Sequence, residues 1–145
     1  MKVRDVYMDN SGFVDRVLES DSIEKVVAVM GAIKTTRTVF VVDKSENLLG
    51  VITIQEIFDR IFDEMKPRII GWFRKKKEKD LKARDIMRPV TSVSLDDELG
   101  DALRVASAAK LQDLPVCEDG KVVGELDCFE LLAGLVAENK NYFKE

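Results

Sequence analysis

Two short stretches place reactive residue types at a spacing that chemistry can use. Gly50-Val51-Ile52-Thr53-Ile54-Gln55-Glu56 sets a hydroxyl and a carboxylate three residues apart, and Gly124-Glu125-Leu126-Asp127-Cys128-Phe129-Glu130 sets two carboxylates at the same separation. Each stretch follows an apolar pair, Leu48-Leu49 or Val122-Val123, and each opens a run of helical period. A small polar residue followed three positions later by Glu is the pattern of a capping box, in which the two side chains satisfy backbone N–H groups at the start of a helix. The pattern is strict for Thr53 with Glu56 and looser for Asp127 with Glu130. A helix N-terminus also presents unpaired N–H groups and a partial positive charge, which suit an anion such as phosphate. Thr53 and Glu56 therefore have two compatible readings: a cap alone, or a cap that also touches a ligand.

Other chemistries are narrowed by what the chain lacks. It has no histidine, which removes the commonest general base and the commonest transition-metal ligand. Two cysteines, Cys117 and Cys128, cannot build a zinc site by themselves. Cys117 follows Pro115-Val116 in an apolar strand and reads as a buried thiol. Cys128 falls in a first helical turn, where a thiolate would be stabilised, but no base is evident near it. With no nucleophile–base pair, metal constellation or Walker-type loop, an enzyme is the least expected class. No apolar run approaches the ~20 residues of a membrane span. Met1-Lys2-Val3-Arg4-Asp5 has no apolar signal-peptide core, so a cytoplasmic address is expected.

The elements that must position these stretches repeat along the chain. Val3-Arg4-Asp5-Val6 is echoed by Ala83-Arg84-Asp85-Ile86, Val14-Asp15-Arg16-Val17 by Val90-Thr91-Ser92-Val93, and Phe40-Val41-Val42-Asp43 by Pro115-Val116-Cys117-Glu118. The offset falls from 80 to 76, 75 and then 74 at the two glycines, so the first copy carries extra loop residues. A self-match of this length means a duplicated supersecondary unit. In the first copy, strands are predicted over Val14 to Leu18, Thr38 to Val42 and Leu48 to Ile52. One helix follows Ser22, with Ile23, Val26, Val27 and Met30 at helical spacing. A second follows Thr53, with Ile54, Ile57, Phe58, Ile61, Phe62 and Met65 on its buried side. In the second copy, strands are predicted over Val90 to Ser94, Leu114 to Glu118 and Lys121 to Leu126, and helices over Glu98 to Ala109 and Cys128 to Glu138. Asp119-Gly120 marks a hairpin turn.

Each copy is thus βαββα, a mixed α/β (α+β) fold of two units packed about a pseudo-two-fold axis. The expected division is 1–65 for the first repeat, 66–82 for a connector and 83–145 for the second, together one compact module. Residues 66–84 hold nine basic side chains against two acidic ones, so this stretch is +7 in a chain of net charge −4. Pro67 is expected to kink or end the helix before it. The stretch reads as a solvated connector, or else as a basic-aromatic patch for nucleic acid or an anionic surface.

This tandem arrangement resembles the pair of cystathionine-β-synthase-type (CBS) domains. The residues that carry the likeness are Arg84-Asp85-Ile86-Met87, Leu114-Pro115-Val116, Asp119-Gly120-Lys121-Val122-Val123-Gly124, and the weaker copy Phe40-Val41-Val42-Asp43 with Leu48-Leu49-Gly50-Val51-Ile52-Thr53. The resemblance implies a non-enzymatic regulatory module, often a homodimer through its helices, that senses an adenine nucleotide (AMP, ADP or ATP) or S-adenosylmethionine and modulates a partner protein. No cofactor is required. The family's nucleotide motif is Gly, apolar, any residue, Thr or Ser, two residues, then Asp. By that likeness Thr53 would hold phosphate, Glu56 the ribose in place of the usual Asp, and Arg37 the phosphate tail. Ile52 and Val39 would wall the base. Arg37 also has a plainer reading as a surface residue paired with a carboxylate. In the second motif Asp127 replaces the hydroxyl and Glu130 the Asp. An ionised Asp127 would repel phosphate at ~4 Å by about 4 kcal/mol at an effective dielectric of ~20, so this site is expected to be empty or to take an uncharged or cationic group. The alternatives are a ligand-free dimerisation or interaction module, and a nucleic-acid or membrane-surface binder acting through residues 66–84.

Overall fold

The computed structural model describes residues 1–8, 15–32, 38–69 and 81–139. The chain forms two compact units, one of residues 15–44 and 49–89, the other of residues 1–14, 45–48 and 90–145. The secondary structure is mixed α/β, as the repeat predicts.

The first unit is built on β1 (Arg16–Leu18), β2 (Thr38–Val42) and β3 (Leu48–Thr53), in the order β1-β2-β3. β1 runs parallel to β2, pairing Arg16 with Phe40, Val17 with Val41 and Leu18 with Val42. Every residue of the central strand β2 is buried, which fits its unbroken β-branched and aromatic sequence. α2 (Ile23–Ala32) packs Val26 and Met30 into the core, and α3 (Ile54–Ile69) packs Ile57. Val17, Val39, Val41 and Ile52 complete that core from the sheet. The apolar pattern was broader than the buried face. Val27 on α2, and Phe58, Ile61 and Phe62 on α3, are exposed instead of buried. α3 also runs through Pro67 to Ile69 and does not end there.

The core of the first unit is closed by a turn from the start of the second repeat. α4 (Ala83–Ile86) places Ala83 and Ile86 among the buried side chains. It is docked by backbone bonds from Ala83 N–H to Asp21 O (2.8 Å), Arg84 N–H to Glu19 O (3.0 Å) and Ile23 N–H to Leu81 O (3.1 Å).

The second unit mirrors this. α1 (Val3–Val6) docks through Val3 N–H to Asp97 O (2.9 Å), Arg4 N–H to Leu95 O (3.0 Å) and Leu99 N–H to Met1 O (3.0 Å), the same three bonds at equivalent positions. The unit also holds α5 (Leu99–Ala109), α6 (Cys128–Glu138) and the antiparallel hairpin of β4 (Asp113–Glu118) and β5 (Lys121–Asp127). Asp119 and Gly120 at its tip both have positive φ, 52° and 79°, as an Asp-Gly hairpin turn requires. Gly134 lets α6 approach closely: a Cβ there would lie 2.6 Å from Val6 and 2.7 Å from Leu99.

The predicted strand over Val90 to Ser94 is reduced to one parallel bridge, Val93 to Val116. Its two bonds, Val93 N–H to Pro115 O and Cys117 N–H to Val93 O, are both 2.9 Å. The next rung needs an N–H that Pro115 lacks. In the first unit the equivalent residue is Phe40, whose N–H bonds Asp15 O at 2.9 Å, and there β1 forms.

Candidate functional site

The first motif sits where β3 runs into α3. Thr53 is the cap: its hydroxyl oxygen accepts from Gln55 N–H at 3.2 Å, while its amide donates to Glu56 Oε2 at 2.6 Å. The Thr53 hydroxyl proton is donated to the same Glu56 oxygen. The reciprocal cap read from the sequence is therefore formed, with Gln55 N–H as the donor to Thr53.

Glu56 has a further partner that sequence reasoning missed. Arg88 Nε donates to Glu56 Oε1 at 2.7 Å, in a pair whose side chains are 32% exposed for Arg88 and 16% for Glu56. Arg88 is delivered by its backbone, which exchanges two bonds with Val51: Val51 N–H to Arg88 O at 2.9 Å and Arg88 N–H to Val51 O at 3.0 Å. Gly50 makes this approach possible, since a Cβ there would lie 2.8 Å from Arg88 O. Burial raises the Glu56 carboxyl, but the Thr53 hydroxyl and amide and the Arg88 guanidinium more than reverse it, so Glu56 lies below the usual carboxylate range. No local spacing in the sequence signals Arg88, which the backbone pairing with Val51 brings to Glu56 across 32 residues of chain.

The other candidates fall in different places. Val39 and Ile52 have no exposed surface and pack inside the core of the first unit. Arg37 lies outside the described residues, as do Val14 and residues 70–80 of the basic connector.

The second motif begins α6. Asp127 accepts from Phe129 N–H at 2.6 Å, and its own amide reaches Glu130 Oε2 at 3.3 Å, so the looser capping box is also formed. Asp127 stands opposite Asp113 across the β4–β5 ladder. Burial, with the Asp127 charge beside it, pushes Glu130 up despite its bond to the Asp127 amide. Cys128 does not become the stabilised thiolate that a first helical turn suggests. Burial, then the charges of Asp113 and Asp127, raise its thiol, which donates to Leu111 O at 3.2 Å. Cys117 is buried, as its strand predicts. The second motif is thus a carboxylate-rich turn without the hydroxyl and the cation of the first. Among the described residues, no group of three or more His, Cys, Asp or Glu side chains is placed to hold a metal ion, and no helix is long and apolar enough to cross a membrane.

Comparison with known proteins bears on both copies. A family model described as the CBS domain matches residues 3–63 and again residues 83–136. A CBS domain-containing protein of known structure from Thermotoga maritima is 27% identical, with a TM-score of 0.73 over 99% of this chain and 98% of that one. CBSX2, solved in complex with AMP, is 22% identical, with a TM-score of 0.72 over 95% and 98% of the two chains. The cytosolic domain of the Mg2+ channel MgtE, solved in complex with ATP, is 21% identical, with a TM-score of 0.62 over 84% of this chain and 45% of that one. No curated protein matches the chain.

Proposed function

The chain belongs to the CBS domain family, and from that premise we propose that it is a regulatory module that binds an adenine nucleotide at the Thr53–Glu56 turn. Occupancy there would bias its association with a partner protein in the cytoplasm, because a ligand shifts only those states that it binds unequally. The observation that carries this reading is the pairing of the motif hydroxyl, Thr53, with a cation, Arg88, around one acceptor, Glu56. Hydroxyl, cation and acceptor are the groups that a phosphorylated ribose requires. The similar folds of CBSX2 with AMP and of the MgtE cytosolic domain with ATP support adenine nucleotides as the ligand class. The Asp127 motif, with its extra carboxylates, is the weaker of the two for phosphate. The role is regulatory and not catalytic.

Homodimerisation is part of the same proposal. Phe58 and Phe62 on α3 are 62% and 57% exposed, and their equivalents on α6, Leu132 and Val136, are 54% and 41% exposed. Large apolar side chains left exposed at matching positions of both repeats fit a self-association surface.

The test is a thermal-shift screen of the purified protein with AMP, ADP, ATP, S-adenosylmethionine and GMP. A ligand at ~100 times its dissociation constant adds about 2.7 kcal/mol. The expected result is stabilisation by an adenine ligand that is lost in Thr53→Ala and Glu56→Ala. A second reading, the ligand-free interaction module, is favoured by one fact: Thr53 and Glu56 already satisfy each other and Arg88. A folded protein that gives a flat screen would select it.

A further inference from the structure

We propose that Arg88 makes the Thr53–Glu56 turn selective for phosphate-bearing over phosphate-free ligands, by holding Glu56 in an ion pair that only an anion can take over. This rests on the nucleotide-binding reading above and names the residue that sets its specificity. A carboxylate offers about four lone-pair sites. At Glu56 two are filled by the Thr53 amide and hydroxyl and a third by Arg88. The one hydroxyl proton of Thr53 is spent on Glu56 as well. A ribose that gives both of its hydroxyls to Glu56 needs two of these sites where one is open, so it competes with Thr53 at Oε2 or with Arg88 at Oε1. An uncharged nucleoside takes the carboxylate and gives nothing to the guanidinium. A phosphate gives Arg88 a new anion, in the bidentate geometry a guanidinium prefers.

The backbone supports an exchange of side-chain partners without loss of structure. Arg88 is fixed to Val51 by both its N–H and its carbonyl, and Gly50 packs against that carbonyl. The side chain can therefore change its anion while its main chain stays in place. The second repeat supplies an internal comparison. At the repeat offset of 80 the equivalent of Arg88 is Met8, which is 69% exposed, and the equivalent of Thr53 is Asp127. Hydroxyl and cation stand together in the first copy, and both are replaced at the equivalent positions of the second.

Calorimetric titration of the full chain with AMP and with adenosine tests this, using the wild type, Arg88→Met and Arg88→Lys. The wild type is expected to prefer AMP by at least about tenfold, the weight of one charge-assisted hydrogen bond. Arg88→Met should bring the ratio towards one, with adenosine binding tighter than to the wild type. Arg88→Lys, which keeps the charge, should recover part of the preference and guards against a variant that folds poorly. An unchanged AMP-to-adenosine ratio in Arg88→Met overturns the role of Arg88 and leaves the nucleotide reading intact. No binding of AMP or adenosine to the wild type removes both.

Discussion

Glu56 and Glu130 occupy equivalent positions, and their surroundings move them in opposite directions. Both are raised by burial, but Thr53 and Arg88 reverse that at Glu56, whereas the Asp127 charge adds to it at Glu130. A carboxyl lowered by folding contributes stability above its unfolded value of ~4.3, and that contribution is lost as pH falls through the folded value. Glu56→Gln should therefore cost about 1–2 kcal/mol at pH 7, a lost charge-assisted bond, and should flatten the acid side of the stability profile. A carboxyl raised by folding contributes only at low pH, and the contribution is lost as pH rises through the folded value. At pH 7 the ionised Glu130 is a cost, so Glu130→Gln should raise the melting temperature. Thermal unfolding from pH 3 to 8 checks both signs. At this scale the sequence was legible where partners are close: Thr53 with Glu56, and Asp127 with Glu130, are local pairs three residues apart. Arg88 was not, because it lies 32 residues from Glu56 and reaches it only through the docking of the lead turn. Val39 and Ile52 could be assigned to strands but not to one side of them, since β2 is buried on both faces.

The elements show where pattern and packing diverge. The paired strands, the hairpin turn and the helices were readable from period and punctuation, and Cys128–Glu138 was readable to the residue. The strand over Val90 to Ser94 was not, because its absence is decided on the partner, where Pro115 withholds the donor that Phe40 supplies in the first unit. Helical spacing likewise fixes that Phe58, Ile61 and Phe62 share a face of α3 with Ile57, but not how wide the covered stripe is. Among the described side chains of α3 only Ile57 is buried and Ile54 is partly so, while Phe58, Ile61 and Phe62 are left exposed. If that face holds two copies together, Phe58→Asp with Phe62→Asp should convert the dimer to a monomer while the helical signal is retained. Light scattering coupled to size exclusion, beside circular dichroism, reads both.

For the whole chain, the sequence repeat and the compact unit are cut differently. The first unit takes α4 from the second repeat, and the second unit takes α1 from the first, each by three equivalent backbone bonds. Ala83 and Ile86 are buried in the first unit, and a buried Ile is worth about 1.5–3 kcal/mol. A chain of residues 15–69 is thus expected to melt without a cooperative transition, and one of residues 15–89 to regain it, followed by circular dichroism against temperature. The exchange of lead turns also has a consequence during translation. The sheet and helices of the first unit are all synthesised by residue 69, but the turn that seals their core ends at residue 86. At ~5–20 residues per second this leaves the half-built core open for roughly 1–3 s on the ribosome. α1 waits longer still. Its close neighbour Gly134 is made 128 residues after Val6, so a segment made early finds its place late.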